Sequence, residues 1–417
     1  MMNPSMSRAA PLAAALLTLT ACSTASDDTT PTRSTDTAAS AGHGAVAGAA
    51  EVAEPQLHLV SIDDQGAASM LDLLAGTRTE LGAVAPAASV TTDGRYVFAA
   101  DSTGVDIVDS GVWTWDHVDH FHYYRSEPRT TGRVPGNGTA VIATGLLSTA
   151  GSTGVFFPGS GEAVLLDNAA LAKGDIEESL RLEVGPHDGL VAPLGDGAVV
   201  TAPDGQGRAQ QLRAVDADGT EIGRIDCPEA AGTITTRVGV VVGCADGAVL
   251  ATTDNGGDKP ELQHIAYPEG AGAGPATTFS ARKGRPTVAG IGDGKGVWLL
   301  DTRERSWQLV KTTTPVVAAA AVDDAATHLV AVGDDGTVQV YDASTGRRTG
   351  MTEPVLASTL QDPDLAPGVT LTVDAQRAYV NAAADGVVHE IDYADGARLA
   401  RTLEPSTRPV HVAETGR

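Results

Sequence analysis

A tight Asp-Gly or Asn-Gly turn recurs along most of this 417-residue chain at nearly regular intervals. Glycine tolerates the positive φ angles that two-residue hairpins require, so each dipeptide predicts a reversal between two antiparallel strands. From the first turn to the last, the mean interval is about 49 residues, the length of a four-stranded propeller blade. The seven dipeptides begin at Asp93, Asn137, Asp196, Asp246, Asp293, Asp335 and Asp385.

The segments around these turns have the apolar alternation of strands, as in residues 326–333 and 337–342 on either side of one turn. Helical periodicity is rare. We therefore predict an all-β fold, a seven-bladed β-propeller of four-stranded antiparallel blades, over residues 55–417. The strand at 57–61 is expected to pair with residues 409–412, since closing the ring removes exposed strand edges. A stacked solenoid is the alternative architecture.

The first 54 residues have the pattern of an export signal followed by a tether. Arg8 precedes an apolar run at residues 11–19 that is too short to cross a bilayer, and residues 19–22 read Leu-Thr-Ala-Cys. These four residues resemble a bacterial lipobox. We predict a lipoprotein signal peptide at residues 1–21 and a lipidated Cys22. The polar tether that follows, residues 22–54, is predicted to be disordered.

Export to the outer face of the cytoplasmic membrane, in the cell envelope or periplasm, fits the remaining cysteines. Cys227 and Cys244 form an even pair in a compartment that tolerates disulfides, and a disulfide is the first interpretation. The alternative is a metal site built on the two thiolates. No histidine adjoins either cysteine in the sequence.

Three of the ten histidines fall within residues 116–122, which read Asp-His-Val-Asp-His-Phe-His. His120 and His122 are two residues apart and share one face of an extended strand. His117 would point to the opposite face of a straight strand, so a bulge or loop is needed to gather all three. Imidazole nitrogen is a common zinc ligand, and Asp119 can either ligate or hold an imidazole from behind. We predict a metal site here.

A further candidate ligand is His187, in the Pro-His turn at residues 186–187, which a propeller can bring toward its centre from another blade. The net charge of −25, from 28 basic and 53 acidic residues, argues against nucleic acid or an anionic lipid surface as the main partner. Three classes of function remain: metal transfer, a metal-dependent lactonase-type hydrolase, and a metal-independent scaffold for protein–protein interaction. No Gly-x-Ser-x-Gly nucleophile motif supports the enzyme.

The string at residues 116–125, the Pro-His turn, the paired cysteines and the exported seven-bladed propeller together resemble the AztD family, zinc metallochaperones encoded with zinc-importing ABC transporters. We expect a monomer that is not an enzyme, and the resemblance implies that it binds Zn²⁺ outside the membrane. It would hand the ion to the solute-binding protein of the importer. The residues that match the family's string are His117, His120 and His122, with Asp119 among them.

Overall fold

The computed structural model describes residues 44–417 except 118, 255–258, 271 and 295. Strands dominate this part of the chain. The first eighteen are β1 (Ala50–Val52), β2 (His58–Ile62), β3 (Ala67–Asp72), β4 (Arg78–Ala83), β5 (Ser89–Thr92), β6 (Tyr96–Asp101), β7 (Gly104–Asp109), β8 (Val112–Asp116), β9 (Phe121–Arg125), β10 (Arg129–Pro135), β11 (Val141–Thr144), β12 (Ser152–Phe157), β13 (Glu162–Asp167), β14 (Glu178–Glu183), β15 (Val191–Leu194), β16 (Gly197–Pro203), β17 (Ala209–Val215) and β18 (Glu221–Asp226).

The second half of the chain continues in the same way. Its strands are β19 (Ala231–Thr235), β20 (Val240–Cys244), β21 (Gly247–Thr253), β22 (Pro260–Ala266), β23 (Thr278–Ser280), β24 (Thr287–Ile291), β25 (Val297–Asp301), β26 (Ser306–Val310), β27 (Val316–Ala321), β28 (His328–Gly333), β29 (Val338–Asp342), β30 (Arg347–Met351), β31 (Leu371–Val373), β32 (Ala378–Ala382), β33 (Val387–Asp392), β34 (Arg398–Leu403) and β35 (His411–Thr415). The helical elements described are α1 (Asn168–Lys173), α2 (Ala357–Leu360) and a single 3₁₀ turn (Ala366–Gly368). None of the described helices is long and apolar enough to cross a membrane.

In the described residues, the strands form eight four-stranded sheets and one three-stranded sheet. The four-stranded sheets are the blades, numbered along the chain: blade 1 (β35-β2-β3-β4), blade 2 (β5-β6-β7-β10), blade 3 (β11 to β14), blade 4 (β15 to β18), blade 5 (β19 to β22), blade 6 (β23 to β26), blade 7 (β27 to β30) and blade 8 (β31 to β34). Neighbouring strands within a blade are antiparallel. The prediction of an all-β propeller of four-stranded antiparallel blades is confirmed, but the predicted count of seven is wrong by one.

The count failed because the Asp-Gly signal and the blades do not correspond one to one. Asn137 and Gly138 lie between blades 2 and 3, outside any blade. Blade 1 reverses between β2 and β3 through residues 63–66, and blade 3 reverses between β12 and β13 through residues 158–161; neither loop contains the dipeptide. Six blades each contain one of the dipeptides and two blades contain none, so the described residues form eight blades.

The ring closes through its last strand, as the sequence predicted. β35 pairs antiparallel with β2, with Leu59 opposite Glu414. The apolar core lies between neighbouring blades rather than at the centre of the ring. In one such layer Phe98 and Ile107 of blade 2 pack with Phe157 of blade 3 in a cluster of fully buried side chains.

The predicted disulfide between Cys227 and Cys244 is present, with a Cα–Cα distance of 5.0 Å. Cys227 directly follows β18 of blade 4, while Cys244 ends β20 of blade 5. The bridge therefore joins two adjacent blades instead of crossing a single blade. Both sulfur-bearing side chains are buried in the apolar layer between those blades.

A hairpin made of β8 and β9 is inserted between β7 and β10 and does not join the sheet of blade 2. It pairs instead with β1, forming the three-stranded sheet. The indole of the buried Trp113 donates a hydrogen bond to the Gly44 carbonyl (3.0 Å) and stacks on Tyr124 at 5.3 Å between ring centroids. The first contact joins the hairpin to the segment before β1, and the second holds the two strands of the hairpin together.

Strand β1 lies inside residues 22–54, the segment expected from its composition to be a disordered tether. Its last residues therefore belong to the folded body. The predicted signal peptide, the lipidation site at Cys22 and the tether up to residue 43 lie outside the described residues.

Candidate metal centre

The hairpin turn gathers the three histidines of the 116–122 string. β8 ends at Asp116 and β9 begins at Phe121, so His117 and His120 flank the turn. The backbone N–H of His117 donates a hydrogen bond to the carbonyl of His120 at 2.9 Å, and this bond closes the turn. His122 lies in β9 opposite Trp115. The reversal of the chain thus supplies the loop that the spacing of His117 required.

One ring nitrogen from each of His117, His120 and His122 lies within 4.8 Å of the other two. The Nε2 atoms of His120 and His122 are 3.1 Å apart. Two nitrogens bound to one tetrahedral zinc at about 2.05 Å are separated by about 3.3 Å, so this pair already has the spacing of two ligands. The His117 ring stacks on His120 with 4.7 Å between centroids. The third nitrogen, from His117, lies within the same 4.8 Å and can complete a set of three imidazole ligands.

A carboxylate contacts the Nδ1 atom of each of two of the rings. Glu51 Oε1 lies 2.6 Å from Nδ1 of His122, and Asp119 Oδ1 lies 2.9 Å from Nδ1 of His120. A carboxylate that accepts a proton from Nδ1 fixes the tautomer whose Nε2 carries a free lone pair, the form that binds metal. The hydrogen bond with His120 lowers the pKa of Asp119. Asp119 was expected either to bind the metal or to hold an imidazole in place, and its contact with Nδ1 of His120 favours the second role.

Sequence reasoning missed Glu51. It lies in β1, 71 positions before His122, and its register opposite Tyr124 brings it beside the hairpin. Nothing in the polar segment around it marks it as part of a site. Only the long-range pairing of β1 with β9 could have revealed it.

The centre is open to solvent on one side. The His120 side chain is 56% exposed, and Phe121 next to it is 51% exposed, a high value for a large aromatic residue. On the other side Asp116 forms an ion pair with Arg237, which lies in the loop between β19 and β20 of blade 5. The hairpin therefore reaches from blade 2 to blade 5, and it carries one exposed and two partly buried histidines.

His187 does not join the other three, contrary to its inclusion among the candidate ligands. It is buried between blades 3 and 4, and its ring packs edge-on against Phe156. Nδ1 lies 2.8 Å from the Gly185 carbonyl, while Nε2 lies 2.8 Å from the Thr201 hydroxyl. Both ring nitrogens are engaged locally, which explains the residue without a metal.

A second group with metal-ligand chemistry comprises Cys244, Asp246 and His264. His264 Nε2 lies 2.9 Å from an Asp246 oxygen. The sulfur of Cys244 is bonded to Cys227, so it offers no thiolate. The oxidised protein therefore has no cysteine-based metal site at this position, and the disulfide interpretation prevails over the thiolate alternative.

No family model matches the chain, but comparison with curated proteins finds a relative. The zinc chaperone AztD of Citrobacter koseri is 25% identical over 265 residues, which cover 60% of this chain and 61% of that protein. The match thus spans about three fifths of the curated relative's length. The resemblance drawn from the histidine string is confirmed by this match.

Solved structures agree on the fold. The crystal structure of C. koseri AztD superposes with a TM-score of 0.74 at 21% identity, covering 87% of this chain and 98% of that one. The crystal structure of Saccharomyces cerevisiae Sqt1 gives a TM-score of 0.51 at 14% identity, with 82% and 92% covered. At these identities the likeness concerns the propeller architecture.

Proposed function

We propose that this protein is an extracytoplasmic zinc chaperone, which binds one Zn²⁺ through His117, His120 and His122 and passes it to the solute-binding protein of a zinc ABC importer. The observation that carries the proposal is the convergence of three imidazoles within 4.8 Å on a braced hairpin. The likeness to AztD, whose name describes a zinc chaperone, supports it.

The exposure of the centre favours transfer over storage. A tight imidazole site releases zinc slowly by simple dissociation, whereas an acceptor that approaches the open side can replace each donor bond as it breaks. His120 is the ligand most accessible to such an acceptor, and the exposed Phe121 beside it offers an apolar contact. Aromatic side chains of this kind are enriched where proteins dock.

Export and anchoring place the centre where an importer acquires its metal. Lipidation at Cys22 would hold the monomer at the outer face of the cytoplasmic membrane, and the polar segment before β1 would let the propeller reach its acceptor. The relative's name describes a chaperone rather than an enzyme, in line with the predicted lack of catalytic activity. A metal-independent scaffold remains the second candidate, because the propeller presents a large surface with or without zinc.

Zinc content tests the site. The protein purified without a histidine tag should hold one zinc per chain, and His120→Ala together with His122→Ala should abolish it, since a single remaining imidazole holds zinc too weakly. His264→Ala is the matched control, because that histidine contacts only Asp246 among its described polar partners. Unchanged zinc stoichiometry in the double variant would refute the assignment and favour the scaffold.

Transfer kinetics test the role. Zinc should pass to the cognate binding protein faster than to a small chelator of equal affinity and concentration, because ligand exchange in a complex avoids free dissociation. Phe121→Ala should slow the protein-to-protein step and leave transfer to the chelator unchanged. Equal rates to both acceptors would indicate passive release and exclude a chaperone.

A further inference from the structure

The centre of the ring contains a cavity of about 530 Å³. It is lined by the innermost strands of seven of the eight blades and by the loop that follows β23. This volume falls within the range of about 300–1,000 Å³ that small-molecule sites occupy. The cavity is therefore large enough for a small metabolite.

The lining of this cavity is mainly basic, whereas the protein as a whole is acidic. The chain has 53 acidic and 28 basic residues, but the cavity lining includes four basic side chains and a single carboxylate, that of Asp93. Nine threonine and serine residues complete its polar surface. The basic residues are Arg282, Lys283, Arg285 and Arg417. An anion would meet complementary charge here, and a metal cation would be repelled.

Three of these cations have protein partners. Arg285 Nε lies 3.1 Å from Asp323, and Arg417 lies 3.3 Å from Glu414. Lys283 donates to the Arg417 carbonyl at 3.0 Å. Burial lowers the pKa of Lys283 to about 8, and nearby Asp93 partly offsets this. Each of these three side chains therefore already has a contact within the fold.

Arg282 differs from the other three. Within the described residues its guanidinium makes no hydrogen bond or ion pair with another side chain or with the backbone. Burial lowers the pKa of Arg282 most and the positive charge of Arg285 lowers it further, while Tyr393, Asp323 and Asp324 act in the opposite direction. The guanidinium of Arg282 is only partly buried, and its planar donors match a carboxylate or phosphate group.

We infer that the central cavity is a binding site for a small dianion carrying carboxylate or phosphate groups, with Arg282 as the primary contact. A bidentate pair with the guanidinium would supply most of the affinity, while Lys283 and the surrounding hydroxyls complete the donor set. None of His117, His120 and His122 belongs to the lining of this cavity.

Isothermal titration of the full chain, stripped of zinc, with inorganic phosphate and separately with succinate tests the inference. At least one of the two should bind saturably with one site per chain, and the affinity should fall as sodium chloride is raised. Arg282→Ala should weaken that binding by about tenfold or more, the loss expected for a charge-assisted hydrogen bond. Which probe binds distinguishes a phosphate ligand from a carboxylate.

Arg347→Ala is the matched control, because Arg347 is exposed on the outermost strand of blade 7 and should leave binding unchanged. Arg282→Ala removes a cation repelled by Arg285, so the variant should melt no lower than the unaltered protein. Absence of saturable binding by both probes would overturn the inference, as would equal affinity in Arg282→Ala. Binding to the unaltered protein that does not weaken as sodium chloride is raised would also overturn the inference, and this measurement requires no variant.

Discussion

Replacement of Glu51 by alanine is expected to weaken zinc binding by about tenfold while leaving the fold intact. Carboxylates that brace metal-bound histidines contribute about 10- to 100-fold to affinity. The Glu51 side chain is 55% exposed, so water can replace part of its hydrogen bond to His122, which places the effect at the lower end of that range. Tenfold corresponds to about 1.4 kcal/mol.

A graded series separates the charge of Glu51 from its geometry. Glu51→Gln retains an oxygen that accepts from Nδ1 of His122 but loses the charge, and neutral hydrogen bonds are about half as strong as charged ones. The zinc affinity of Glu51→Gln should therefore fall by about threefold, a value between those of the alanine variant and the unaltered protein. Glu54→Ala, an exposed residue of the same segment, should have no effect.

Competition with a fluorescent zinc indicator at fixed pH gives the affinities. The backbone pairing of Glu51 with Tyr124 does not involve the side chain, so the melting temperature should be the same in all three variants. Affinity within twofold of the unaltered protein in Glu51→Ala would refute the idea that a carboxylate on β1 prepares His122 for metal.

Three further outcomes concern stability. Replacing Cys227 and Cys244 by alanine should lower the free energy of unfolding by about 3 kcal/mol, from the 17-residue separation in the chain-entropy model, and an unchanged denaturation midpoint would contradict this. Burial raises the pKa of Glu414 to about 8, so the folded state keeps a proton that the unfolded chain releases above its ordinary value of 4.5. Stability should therefore fall as pH rises from about 4.5 to 8, and Glu414→Gln should flatten that slope in urea titrations. Asp109→Ala leaves the buried Arg95 without its 2.8 Å partner and should cost about 3–5 kcal/mol in chemical denaturation, whereas a cost under about 1 kcal/mol would show that Arg95 finds other acceptors.

The propeller fold could be predicted from the sequence because its turns and strands are encoded by residues close together in the chain. Asp-Gly turns and apolar alternation depend on residues that are neighbours in the chain, and they identified strands throughout residues 55–417. The blade count depended on turns such as that at residues 63–66, where a different sequence makes the same reversal. Local signals identify hairpins well but cannot count those built from other residues.

The candidate site was found in part for the same reason. His117, His120 and His122 are close in sequence, so their clustering was visible, and one turn was enough to bring them together. Glu51 reaches His122 only through the pairing of β1 with β9, which no short-range pattern predicts. His187 was wrongly included because a Pro-His turn does not reveal that the Gly185 carbonyl and Thr201 occupy its ring nitrogens. Three of the cavity cations, Arg282, Lys283 and Arg285, are close in sequence, but Arg417 lies beside them only in the closed ring.

The closing strand also gives the histidine hairpin a dependence on the order of synthesis. β35 supplies the inner edge of blade 1, and immediately after it the Gly416 carbonyl accepts a hydrogen bond from Thr114 of β8 at 2.8 Å. A growing chain that has emerged only as far as blade 8 carries every histidine of the 116–122 string but lacks this support. This support at the base of the hairpin therefore forms only after residues 411–416 have taken their place beside β2.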